Sequence, residues 1–152
     1  MDLRSRINAS LKAAMKERDA TRTATLRLMS AAIRDREIAM RAEEGDGMMT
    51  DSDVRDILAR MIRQRRESSH AYEEAGRLDQ AEAEHAEIAV IEEFLPRPLS
   101  EGEVDAAIDS VIGETGARSI RDMGRVMAAL KARHAGRMDF ADAGARVKQR
   151  LC

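Results

Sequence analysis

Two prolines, Pro96 and Pro98, are the only prolines in 152 residues, and they fall within three positions of each other. Proline lacks the backbone N–H and disfavours helical geometry in the residue before it, so no helix continues through this point. On the N-terminal side Ile88, Ile91 and Leu95 recur at three and four residues and mark one apolar helical face running into Pro96. On the other side Ser100 and Glu103 form a capping box ahead of Val104, Ala107, Ile108 and Val111, so a new helix starts there. The chain is expected to fold as two helical lobes, residues 1–95 and 96–152, joined by a stiff proline hinge.

Charged residues make up 36% of the chain and aromatics 2%, with ten methionines, a composition suited to helices packed through aliphatic side chains. The expectation is an all-α protein. Helix one is read over about Asp2 to Arg18, with Leu3, Ile7, Leu11 and Met15 as its stripe. Helix two runs from about Thr21 to Ala42 with Leu26, Met29, Ile33 and Ile38. A loop at Glu44 to Met48, holding Gly45-Asp46-Gly47, precedes helix three, which opens at Thr50 or Ser52, carries Val54, Ile57, Leu58, Met61, Ile62, Ser69 and Tyr72, and is closed by Gly76. Helix four starts near Asp79 and completes a four-helix lobe with antiparallel neighbours.

After the joint, helix five covers about Ser100 to Ile112 and ends at Gly113 or Gly116. Helix six is announced by Ser119 and Asp122, carries Ile120, Met123, Val126, Met127 and Leu130, and stops at Gly136. Helix seven begins around Asp139 with Phe140, Val147 and Leu151. Three helices in some fifty residues give a thin core, so this lobe is expected to lean on the first lobe or on a partner.

No apolar run approaches the roughly 20 residues that span a bilayer. The first residues lack the apolar core of a secretory signal; they are basic and amphipathic like a transit peptide, but Leu3, Ile7 and Leu11 continue the core pattern, so they are read as a structural helix. The single cysteine, Cys152, allows no intrachain disulfide and no cysteine-based metal site. A cytoplasmic monomer is expected, without membrane attachment.

The net charge of −2 conceals a segregation. Residues 1–42 carry net +5, residues 43–95 net −9, residues 96–115 net −4 and residues 116–152 net +6. Either basic and acidic helices pack beside one another, or the basic C-terminal segment meets a polyanion. In that segment Arg118, Arg121, Arg125, Lys131, Arg133 and Arg137 cluster about helix six, and Arg146, Lys148 and Arg150 lie on helix seven. With almost no aromatic side chain for base stacking, a nucleic acid would be held by phosphate, sugar and shape, which suits a folded RNA better than a single strand.

Catalytic signatures are sparse. GxGxxG and GxxxxGK[ST] are absent, and no serine has a partner pattern. Glu67-x-x-His70 and Glu82-x-x-His85 stand almost symmetrically about Gly76 and are half of a di-iron carboxylate arrangement. Their helical phase argues against it, since the apolar stripe leaves Glu67 and His70 on a flank. Arg63, Arg65 and Arg66 are expected to pair with Glu67, Glu73 and Glu74 on a solvated face. No cofactor and no catalytic residue are expected.

Thr25-Leu26-Arg27, Arg65-Arg66-Glu67-Ser68, Tyr72-x-x-Ala75-Gly76-Arg77, Glu84-x-x-Glu87-Ile88, Phe94-Leu95-Pro96, Met123-Gly124-Arg125-Val126-Met127 and Gly136-Arg137-x-Asp139, in this order, resemble the YqeY family over essentially the whole chain. That family is similar to the C-terminal tail of the B subunit of the glutamine-dependent amidotransferase that corrects mischarged Glu-tRNA and Asp-tRNA. In that enzyme the tail contacts tRNA, while phosphorylation and amide transfer occur in a separate, larger catalytic domain. The resemblance implies a tRNA-contacting module related to a carbon–nitrogen ligase but without its catalytic domain, with tRNA or a tRNA-handling complex as partner and no DNA. By motif it points to Arg125 and Arg137 as nucleic-acid contacts; charge alone adds Arg121 and Lys131. Phe140 departs from the pattern, because the family commonly has glycine after Gly-Arg-x-Asp, so the entry to helix seven is expected to differ. Two further readings remain: a protein-interaction adaptor using exposed Met and Ala surface on the small lobe, and a di-metal helical-bundle oxidase.

Overall fold

The computed structural model describes residues 2–44 and 48–152. Among them the protein is all-α, with helices α1 (Leu3–Glu17), α2 (Ala20–Glu44), α3 (Asp51–Glu74), α4 (Leu78–Glu92), α5 (Glu101–Thr115), α6 (Met123–His134) and α7 (Phe140–Leu151). The loop expected around Gly45-Asp46-Gly47 lies outside the described residues. No helix among them is long and apolar enough to cross a membrane. Two compact units meet between Pro96 and Arg97.

In the first unit Asp2 caps α1 by accepting from the Ser5 N–H at 2.7 Å. Leu3 and Ile7 are buried as expected, but Ala14 rather than Met15 completes the buried stripe and Met15 is exposed. A spacing of four gains about 40° per step on a helix of 3.6 residues per turn, so by Met15 the row has drifted about 120° off the core. Ile38 is in solvent for a related reason, since it stands five residues after Ile33 and so about 140° around the helix, whereas Met40, two turns beyond Ile33, is buried. Thr50 and Asp53 make a reciprocal capping box at the start of α3. At its end Gly76 takes φ +74°, the Gly76 N–H bonds the Glu73 carbonyl and the Arg77 N–H bonds the Tyr72 carbonyl, which satisfies the last turn and reverses the chain into α4.

The core of this unit joins Leu3 and Ile7 to Leu26, Met29 and Ile33, to Val54, Leu58 and Met61, and to Ile88, Ile91 and Phe94. Around it, basic and acidic helices are paired. Arg4 bonds Glu37, Arg22 bonds Glu93 at 2.5 Å, Arg65 bonds Glu87 at 2.8 Å and Arg66 reaches Glu92 at 3.4 Å. For Arg65 and Arg66 this corrects the expected partners: the carboxylates come from the facing helix α4, not from one turn further along α3.

In the second unit Ser100 and Glu103 form the expected capping box, and α5 passes through Gly113 to end at Gly116, which adopts φ +67°. Ser119 and Asp122 also form a capping box, but it opens a 3₁₀ turn, Ile120–Asp122, and α6 proper begins only at Met123. Asp139 caps α7 by accepting from the Ala141 N–H at 2.9 Å. Phe140 is the first residue of α7 and packs half-buried on the core, and it is not among the residues with positive φ, so the helix forms without glycine there. Val104, Ile108, Val111, Val126, Leu130, Val147 and Leu151 make that core, and α7 comes close to α6 at Gly144.

Candidate nucleic-acid interface

The basic residues of the second unit divide by what faces them. Glu101, Asp105 and Asp109 recur every four residues on α5 and so share one face. That face meets α7: Arg146 bonds Asp105 at 3.0 Å, Asp142 at 3.1 Å and Glu101 at 3.8 Å, while Arg150 bonds Asp109 at 2.8 Å and Asp105 at 3.3 Å. The hydrogen bond to Asp105 holds Arg146 more firmly protonated. On α6, Arg133 bonds Glu114, and this contact raises the arginine and lowers the carboxyl. The helix-seven arginines expected on a single positive face are therefore matched by three α5 carboxylates, with Asp142 of α7 itself as a further partner of Arg146.

What remains is smaller. Arg118 and Arg121, on the approach to α6, are exposed, and neither guanidinium has an ion-pair partner among the described residues. Arg125, one turn after Arg121, is exposed but half-committed: it donates to Asp122 at 2.8 Å and to the Thr115 carbonyl at 3.3 Å. Asp122 is the pivot of this corner. It accepts the Arg118 N–H at 3.0 Å and the Ser119 N–H at 3.3 Å, and these bonds with the Arg125 guanidinium depress its carboxyl to about 2. By holding the turn from below it leaves Arg118 and Arg121 projecting.

The four predicted contacts do not converge. Arg121 and Arg125 lie together at the start of α6. Lys131 is six residues on, about 9 Å further along the axis and about 120° around it, with its Nζ 6.0 Å from the Phe140 ring centre. Arg137 is half-buried and works as a clamp: its Nε donates to the Arg97 carbonyl at 3.0 Å, and its own carbonyl accepts the Leu99 N–H at 2.8 Å. The Gly136-Arg137-x-Asp139 motif thus has a local structural account in a left-handed glycine at φ +76°, a clamp and a helix cap. Arg118 belongs with Arg121 instead. The sequence already places Arg118 in the basic cluster about helix six, and Asp122, four residues on, binds backbone N–H groups and Arg125 rather than the Arg118 guanidinium.

The histidines of the two Glu-x-x-His elements are exposed and face carboxylates singly: His70 bonds Glu74 at 2.9 Å and His85 bonds Glu73 at 3.1 Å. Among the described residues no three His, Cys, Asp or Glu side chains stand together as a metal-holding group.

The sequence profile of the Yqey-like protein family matches residues 4–151. The chain is also 28% identical over 116 residues to the altered inheritance of mitochondria protein 41, mitochondrial, of Lachancea thermotolerans. The matched segment is 75% of this chain and 60% of that relative, so the chain spans about three fifths of the relative's length.

Proposed function

The chain belongs to the YqeY-like family, and from that premise we propose that it is a non-catalytic, tRNA-associated module that contacts tRNA or a tRNA-handling complex through the second unit. The observation that carries this reading is the corner at the start of α6, where Arg118, Arg121 and Arg125 project from a turn fixed by one deeply ionised aspartate. Phosphate oxygens are the natural partners of unmatched guanidinium groups, and backbone contact needs no aromatic platform. The absence of a nucleotide-binding motif supports a binding role, with any amide-transfer chemistry belonging to a catalytic partner. The proposed working form is a cytoplasmic monomer. The adaptor reading draws less support, since Met123 and Met127 are half-buried on the core and, among the described residues, Ile120 is the one large apolar side chain of this unit left exposed.

The test is binding of bulk tRNA to the intact protein across a salt series. Each cation lost from the contact should lower the slope of log affinity against log salt by about 0.7–0.9. The R118A/R121A/R125A variant should therefore bind weakly and with a flattened slope, while Arg150→Ala, whose side chain is already matched by α5, should bind as the wild type does. Salt-independent binding, or equal losses in the two variants, would refute the assignment.

A further inference from the structure

The Phe94-Leu95-Pro96 segment has a role beyond ending α4. Together with Leu3 these residues form the apolar wall of a cavity of about 280 Å³ in the first unit, and Arg6, Arg55, Asp51 and Glu93 form its charged wall. The charged wall is unbalanced in its bonding. Glu93 is held through both carboxylate oxygens by Arg22, at 2.5 and 3.2 Å. Asp51 accepts the Leu3 N–H at 3.2 Å and, although one turn before Arg55 on α3, makes no ion pair with it. Arg55 has no side-chain partner among the described residues, and Arg6 has only the face of Phe94, 5.8 Å from its guanidinium carbon. The cavity thus presents two guanidinium groups with unused donors, next to an aromatic and aliphatic surface.

We propose that this cavity is a binding site for a small oxyanion with an apolar body, a carboxylate or a phosphate monoester held by Arg6 and Arg55 with its body against Phe94, Leu95 and Pro96. Paired guanidinium groups bind such oxyanions through charge-assisted, bidentate geometry. The apolar wall contributes only if the ligand carries carbon next to the anion. The volume, at the small end of ligand pockets, fits a single ring or short chain rather than a dinucleotide. Nothing in this site depends on the RNA reading, which concerns the other unit and a macromolecular partner.

Calorimetric titration of the intact protein with phenyl phosphate, benzoate, inorganic phosphate and phenol tests it. Phenyl phosphate or benzoate should bind with a dissociation constant of about 1 mM or tighter, and inorganic phosphate and phenol about tenfold more weakly. Whichever of the first two binds more tightly identifies the oxyanion. Arg55→Gln should weaken binding about tenfold, with unfolding behaviour unchanged because the side chain makes no bond among the described residues. Arg6→Gln should do the same, and if loss of its contact with Phe94 destabilises the fold, Arg55→Gln decides alone. The proposal is overturned if neither aromatic anion binds at about 10 mM, if inorganic phosphate binds as well as phenyl phosphate, or if Arg55→Gln leaves affinity unchanged.

Discussion

Gly144→Ala should stabilise the protein. Gly144 is buried in the middle of α7 where α6 crosses it, a place where a glycine is ordinarily read as required by close helix packing. A Cβ built there lies 3.6 Å from the Met123 Cε and 3.8 Å from the Met127 Cε, which is ordinary van der Waals contact with the free ends of flexible side chains. Nothing has to move, so two favourable terms are left. Alanine in a helix interior gains about 0.8–1.0 kcal/mol over glycine, and a buried methyl adds up to about 0.8 kcal/mol; allowing for incomplete contact, the sum is about 1–1.5 kcal/mol. With a urea slope of about 1.5–2 kcal/mol/M the unfolding midpoint should rise by about 0.5–1 M. Gly144→Val should lose that gain, falling about 1–2 kcal/mol below the alanine variant and so to about the wild-type stability or below it, because its two extra methyls must occupy space the methionines already fill. The assay is equilibrium urea unfolding of the intact chain followed by circular dichroism. A lower midpoint for Gly144→Ala would show that α6 and α7 cannot accommodate a methyl and that the glycine is a packing requirement.

Two other outcomes follow from local geometry. Arg18 closes α1 in the left-handed region, at φ 57° and ψ 34°, the one such non-glycine residue among those described; since glycine adopts this geometry without the Cβ penalty, Arg18→Gly should stabilise by about 0.5–1 kcal/mol in the same assay, and destabilisation would show that the arginine side chain contributes there. Asp122 titrates at about 2 in the folded protein against an ordinary 3.8; with its folded pKa depressed, its stabilising effect is complete above about 4 and is lost as pH falls toward about 2. Asp122→Asn should flatten stability across that window, and a carboxyl resonance titrating near 3.8 in the folded protein would contradict the bonding described.

The helices were legible because their start and stop signals are local chemistry. Ser100 with Glu103, Thr50 with Asp53 in place of the less definite Thr50-or-Ser52 start, and the left-handed glycines Gly76 and Gly116 each act within one turn of the backbone. Phase over longer distance was less legible. A spacing of four tracks the core for two turns and then leaves it, which is why Met15 lies outside, and a single step of five carries Ile38 off the core face. The 3₁₀ turn before α6 was also hidden, since a capping box is the same sequence signal whether a 3₁₀ or an α turn follows it.

The candidate sites show the same division. Residue types and helical spacing by themselves determined that the chain is all-α, where most helices begin and end, and which segments are basic. Which of those charges remain available was decided by tertiary packing. Arg150 looks as free in the sequence as Arg121, and only the approach of α5, more than thirty residues away, matches it with Asp105 and Asp109, while Arg146 has Asp142 one turn before it and gains Asp105 from α5. Likewise Arg6, Arg55 and Phe94 come from three separate helical segments, and only the folding of α1, α3 and the end of α4 against one core brings them to a single cavity. Caps and stripes arise from bonds between near neighbours, but whether a charge is spent or left over depends on long-range packing, which no local pattern records.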